Sequence, residues 1–286
     1  MAKAKIPINR YQVFQSTKYL FIHIFLMSVA ATCIFPLFWM VRSALMTKET
    51  IFIDKSLFPS ALQWGNFVKA WIGGNFGTYF LNSLFYTFSV VVGIVIISSL
   101  AAYAFSRLRF PGKDFFFYMF VAAMMIPLPG SFVPLVVLMN KIGLVNTRLG
   151  YILCMINVGL SMSILLLKTF FDKMPSDLED AARIDGCGKI RIWWNVALPL
   201  ARPAIAVVVI FNSLNVWNEF ILANLLLTDD SLMTLQTGLF KFQGPNLADY
   251  PVLMAGLTIA AIPIIIIYLF MQKHIIKGLS SGAVVG

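Results

Sequence analysis

Long uncharged runs separated by short polar segments fill most of this 286-residue chain. The runs Tyr19–Val41, Tyr79–Ser106, Phe115–Asn140, Leu149–Leu167, Pro203–Asn218 continued past Glu219 to Leu227, and Tyr250–Gln272 stand out. Each approaches or exceeds the roughly 20 apolar residues a helix needs to cross a bilayer. The pattern predicts an all-α, polytopic membrane protein with six transmembrane helices. An even number puts both termini on one side. Residues 1–18 then form an N-terminal tail, 19–272 the transmembrane domain and 273–286 a C-terminal tail. Met125-Ile126-Pro127-Leu128-Pro129-Gly130 and Pro134 fall inside the third run, so that helix is expected to kink or break near its middle. Such a break reads either as a pathway wall or hinge, or as a packing kink. The longest connection, Arg42 to Thr78, carries turn signals at Pro59 and Gly73-Gly74. Its aromatics Phe58, Trp64, Phe67 and Trp71 suit a stretch lying on the membrane interface.

One polar segment, Pro175 to Cys187, reads as a short helix kept in water. Ser176 is expected to cap it, with Glu179 completing a capping box and Asp177, Glu179 and Asp180 in the first turn. Gly186 supplies the stop. Leu178, Ala181, Ala182 and Asp185 share one side by helical spacing, and small alanines let a partner approach closely. Directly afterwards Ile190, Trp193, Trp194, Ala197 and Leu198 recur at helical spacing beside Lys189 and Arg191. That is the pattern of an interfacial helix, and Pro199 and Pro203 interrupt it.

The string Leu178-Glu179-Asp180-Ala181-Ala182 with Ile184-Asp185-Gly186 and Leu198-Pro199-Leu200 resembles the EAA loop of ABC importer permeases. The likeness is to the carbohydrate-uptake group related to the maltose permease subunits. Trp217-Asn218-Glu219-Phe220 and the ending Lys277 to Gly286 also look like the shorter subunit of such a pair, so the resemblance runs over most of the chain. Asp180 stands where the family usually has Glu, and Cys187 where alanine is common. The resemblance implies an ABC importer permease fold in a prokaryotic cytoplasmic membrane, with 172–203 as the coupling loop. Leu178, Glu179, Asp180, Ala181, Ala182, Asp185 and Gly186 would then meet the groove of an ATPase subunit. Implied partners are a homologous second permease, two cytoplasmic ABC ATPases, an extracytoplasmic solute-binding protein and a carbohydrate. No cofactor is expected on the chain itself, with ATP bound by the ATPases.

Composition agrees with the membrane reading and narrows the chemistry. At 59% hydrophobic and 12% charged, the chain is far from the soluble norm of about 45–50% apolar and 25% charged. Of its 22 basic residues, 15 fall in segments that are inner when the N-terminus is inside, so the asymmetry predicts N-in, C-in. Topology and anionic lipid account for the net charge of +10, and no nucleic-acid partner is needed. Cys33, Cys154 and Cys187 lack metal spacing, and His23 and His274 form no catalytic constellation. Gly112-Lys113 and Gly188-Lys189 lack the rest of a nucleotide-binding loop, so ATP hydrolysis by this chain is not expected.

Polar groups inside the runs are the remaining signal. Asn212, Asn215 and Glu219 fall on one helical face, with Asn218 beside them, and a carboxylate in a span should face a bundle interior or cavity. Two readings are open: lining of a substrate pathway, or hydrogen bonding between helices. Asn157 is a lesser candidate, and Lys168 is expected to snorkel. Alternatives to a sugar importer are the same machine carrying a glycerol phosphoester or another small polar solute, and a stand-alone secondary transporter.

Overall fold

The computed structural model describes residues 10–59, 61–241 and 249–283. Parts of the expected tails, 1–9 and 284–286, lie outside the described residues. Among the described residues there are helices and no strand.

α1 (Arg10–Ala44) runs without a break, and no residue from Lys18 to Val41 is buried within the chain. In lipid such an apolar surface carries no solvation penalty. The following connection is more ordered than its turn signals imply. Arg42 is buried, donating from Nε to the Ser56 carbonyl at 2.6 Å and from Nη2 to the Asp54 carbonyl at 2.7 Å. α2 (Gly65–Ile72), not foreseen from the sequence, is held by Asn66, whose Nδ2 donates to the Ala44 and Met46 carbonyls at 2.9 and 2.8 Å.

α3 (Phe76–Arg107) is the central helix. The expected third span is divided into α4 (Lys113–Ala123) and α5 (Leu128–Lys141), with Pro127 in extended conformation at the junction. α6 (Arg148–Asp172) starts at a true cap, Thr147 Oγ1 accepting from the Gly150 amide at 3.1 Å. Next come α7 (Asp177–Ile184), α8 (Lys189–Ile192), a π-helical stretch Trp193–Ala197 and α9 (Leu198–Leu200). The rod Lys189–Leu200 meets α10 (Arg202–Asn218) at 78°. The break falls at Ala201, with φ −79° and ψ 3°, and Pro203 has no amide to continue the ladder across it. α11 (Ile221–Leu226) and α12 (Leu235–Lys241) follow, then α13 (Tyr250–Ala283). α13 continues past Gln272 into the expected tail, as far as Ala283. Isolated glycines such as Gly278 cost a helix only about 1 kcal/mol each. By length and composition α1, α3, α6 and α13 are each able to span a membrane, and the bent pair Lys189–Leu200 and Arg202–Asn218 is apolar enough, taken together, to enter one.

The core lies between α3 and α6 and is closed by α10. Tyr86, Val90 and Ile94 on α3 pack with Tyr151, Met155 and Leu167 on α6 and Val208 on α10. Close approach depends on Gly159: a Cβ there would lie 2.4 Å from Ile94 Cδ1 and 2.3 Å from Asn212 Oδ1. Small residues at such crossings are how helices pack in lipid, where dispersion replaces hydrophobic drive. At the end of α3 remote from α7, Asn82 Nδ2 donates to the Ser231 and Met233 carbonyls and Tyr86 Oη to the Leu232 carbonyl. These bonds fix the segment between α11 and α12 to α3.

Candidate functional site

α7 is exposed along most of its length and is anchored by one carboxylate. The capping box does not form: Ser176 has helical φ and ψ of −67° and −27°, and its side chain makes no capping bond. Glu179 turns inward instead and is 2% exposed. Its Oε1 lies 2.9 Å from Arg107 Nε, an ionic contact whose N–H is not aligned for a hydrogen bond. Oε2 accepts from Tyr103 Oη at 3.3 Å and lies 3.6 Å from Arg183. Arg107 also donates from Nη2 to the Met174 carbonyl. A guanidinium outcompetes a backbone amide for a carboxylate because both charges gain from the contact. The sequence reading missed Tyr103 and Arg107, which entered it only as span and topology residues.

Inward rotation of Glu179 sets which residues face out. Ala182, three residues on, lies on the same side and packs against the core, as does Cys187. Leu178, Ala181, Ile184 and Asp185 are exposed, Ile184 at 87%. The expected common face is therefore split, with Ala182 inside. Asp180 is exposed and pairs with Arg183 at 2.7 Å. Gly186 ends the helix at φ +77°. The Cys187 amide donates to the Ala182 carbonyl at 2.9 Å and the Gly186 amide to the Arg183 carbonyl at 3.0 Å. This is a Schellman closure, and it needs a residue without a Cβ.

Below α7 the helices are tied by a second charged group. Lys168, rather than merely snorkelling, pairs with Asp172 at 2.7 Å and lies 4.8 Å from the Phe117 ring centroid. Asp172 also accepts from Ser106 Oγ at 2.7 Å.

The polar residues of the fifth run separate into different environments. Asn212 is buried, donating from Nδ2 to Ser163 Oγ at 3.0 Å and to the Val208 carbonyl at 2.8 Å. That is interhelical bonding. Asn215 and Asn218 are exposed on this chain, as is Asn157, and Asn218 Nδ2 donates to the Leu214 carbonyl. Glu219 does not share their helical face, because α10 ends at Asn218 and Glu219 is extended, with ψ 127°. Its carboxylate accepts from the amides of Leu222 at 2.6 Å and Ala223 at 2.9 Å, and from Tyr151 Oη at 3.4 Å. A carboxylate at the start of α11 satisfies donors that helix leaves unpaired. The seven-residue spacing was counted as if the helix continued, and it does not.

The stretch that holds α7 lies within a region of the chain that is matched by known proteins. The family model described as binding-protein-dependent transport system inner membrane component covers residues 93–281. The probable ABC transporter permease protein YurM of Bacillus subtilis is 35% identical over 280 residues, which is 98% of this chain and 92% of that protein. The diacetylchitobiose uptake system permease protein NgcG of Streptomyces coelicolor is 32% identical, covering 91% of this chain and 87% of its own. The arabinooligosaccharides transport system permease protein AraQ of Halalkalibacterium halodurans is also 32% identical, over 90% of this chain and 93% of its own. Among solved structures, a chain of a bacterial ABC transporter involved in the import of the acidic polysaccharide alginate shares the fold. It has a TM-score of 0.79 over 94% of this chain and 99% of that chain, at 24% identity. This protein therefore belongs to the family of binding-protein-dependent transport system inner membrane components.

Proposed function

We propose that this permease carries a sugar or an oligosaccharide, driven by ATP hydrolysis on two partner ATPases rather than on this chain. A second, homologous permease completes the pathway, and a solute-binding protein delivers the cargo. Support for the cargo comes from the relatives, two of which are named for oligosaccharide uptake. The observation that carries the mechanism is α7, exposed on Leu178, Ala181 and Ile184 and fixed at Glu179. A rigid exposed helix with small and apolar residues outward suits a groove in the ATPase. Lysine and arginine asymmetry supports α7 and both termini on the cytoplasmic side. Asn215 and Asn218 are the asparagines of α10 exposed toward hydroxylated cargo, Asn218 with its amide oxygen still available, while Asn212 and Glu219 are engaged within the chain.

The test is uptake of a panel of labelled mono- and oligosaccharides by the reconstituted complex. ATP-dependent uptake of at least one sugar is expected, and uptake confined to non-carbohydrate solutes would overturn the cargo. For orientation, single cysteines at Gln63 and Ser176 should label from outside and inside respectively. External labelling at Ser176 in sealed cells would reverse the topology.

A further inference from the structure

We infer that the cleft between the end of α3, the 108–112 turn and α7 binds the phosphate of an anionic phospholipid. Arg107, Arg109, Lys113 and Arg183 line this cleft, facing only two carboxylates, Glu179 and Asp180. Both carboxylates are already matched, Glu179 by Arg107 and Asp180 by Arg183. Arg109 and Lys113 have no carboxylate at ion-pair distance among the described residues. Arg109 is exposed, and Lys113 makes only a 3.4 Å bond to the Ser106 carbonyl, which leaves donors of its ammonium free. Asp172, which feels the charge of Lys113, is occupied by Lys168 and Ser106. A concave site with two unspent cations is suited to a phosphate.

Depth selects a lipid over other anions. Lys113 lines the cleft and is the first residue of α4, a helix with no buried residue, so an apolar, aromatic surface begins at the edge of the cleft. Phe115, Phe116 and Tyr118 there are 71%, 46% and 65% exposed. Basic side chains at the end of an apolar helix keep their stems along it and their charges at the headgroup boundary, which sets Arg109 and Lys113 at phosphate level with α4 beside the acyl chains. A soluble anion would use the charges alone, whereas a phospholipid uses both features. Because Asp180 and Arg183 belong to α7, the bound lipid also braces that helix. This consequence, unlike the binding, rests on the coupling role proposed for α7.

The full-length chain, purified in detergent, is titrated with phosphatidylglycerol and with phosphatidylcholine of the same acyl composition, and bound lipid is read by native mass spectrometry. Phosphatidylglycerol is expected to be retained preferentially. R109Q/K113Q should weaken it by roughly twentyfold, at about fivefold for each basic group near an anionic headgroup, and leave phosphatidylcholine unchanged. R109K should retain binding. A photoactivatable phosphatidylglycerol on the unaltered chain should crosslink within residues 106–119, so the result does not depend on how the variants fold. Equal retention of both lipids, undiminished binding by the double variant, or crosslinks elsewhere would overturn the proposal. Displacement by inorganic phosphate alone would assign the site to a soluble anion and overturn it too. If the double variant loses the ATPase but keeps the lipid, the cations serve a protein carboxylate and the lipid reading fails. Sugar uptake enters none of these readouts, so failure of the transport proposal remains distinguishable.

Discussion

Glu179 of α7 and Arg107 of α3 form an ion pair at 2.9 Å, its carboxylate buried, that joins the exposed helix to the central helix of the bundle. Tyr103, one turn earlier on α3, holds the other carboxylate oxygen. The far end of α3 is bonded to the segment between α11 and α12.

Removing the cation should loosen α7 first. R107L leaves a nearly buried carboxylate with Arg183 at 3.6 Å as its nearest remaining countercharge, a loss of about 3 kcal/mol by analogy with broken buried pairs. Hydrogen exchange of the α7 amides should accelerate while α6 is unaffected. Unchanged protection of α7 would show that the pair does not anchor it. E179Q, which keeps the Tyr103 contact, should be milder.

Gly186 offers a test free of packing effects, since a Cβ there would meet nothing within 4 Å. G186V forces a β-branched residue to φ +77°, costing about 1–2 kcal/mol from backbone strain alone. Uptake should fall, with the protein still inserted in the membrane, and G186N should retain most of it. Equal activity of G186V and the parent protein would remove the closure from the coupling mechanism. Because Ala181 faces outward and Ala182 inward, A181W should block ATPase docking, whereas A182W should lower the stability of the chain itself.

Glu219 should behave as a structural residue. E219A leaves the Leu222 and Ala223 amides without their acceptor, at about 1–3 kcal/mol for each buried group. Y151F removes only a 3.4 Å bond and should cost less. Thermal unfolding of the detergent-solubilised protein orders the two. A larger effect of Y151F would overturn the assignment.

The asparagines of α10 should divide in the same way. N212L loses the interhelical bond to Ser163 and crowds Gly159, and is expected to lower stability by roughly 1–3 kcal/mol, chiefly through overpacking, since Ser163 Oγ keeps its bond to the Gly159 carbonyl. N215L, at an exposed position, should leave stability within about 0.5 kcal/mol and change transport rate or sugar preference. An N215L protein with reduced stability and parental specificity would remove Asn215 from the pathway.

By itself the sequence determined the features set by local composition. Uncharged runs longer than the bilayer core made the chain an α-helical membrane protein, Pro127 marked the break between α4 and α5, and Gly186 marked the end of α7. Each depends on residues adjacent in the chain: apolar length, a missing amide, a missing Cβ. Tertiary structure decided which partner each polar group takes. Glu179 had a local option in the capping box and a distant one in Arg107, and the charged partner won because burial strengthens that contact. Asn66 had no local signal at all, yet it fixes α2 by bonding carbonyls at 44 and 46. Glu219 was assigned to a helical face by spacing, but α10 stops one residue earlier and hands the carboxylate to α11. Periodicity describes a face only while the helix lasts, and where a helix ends in this bundle depends on which unpaired amides and carbonyls find partners in its neighbours.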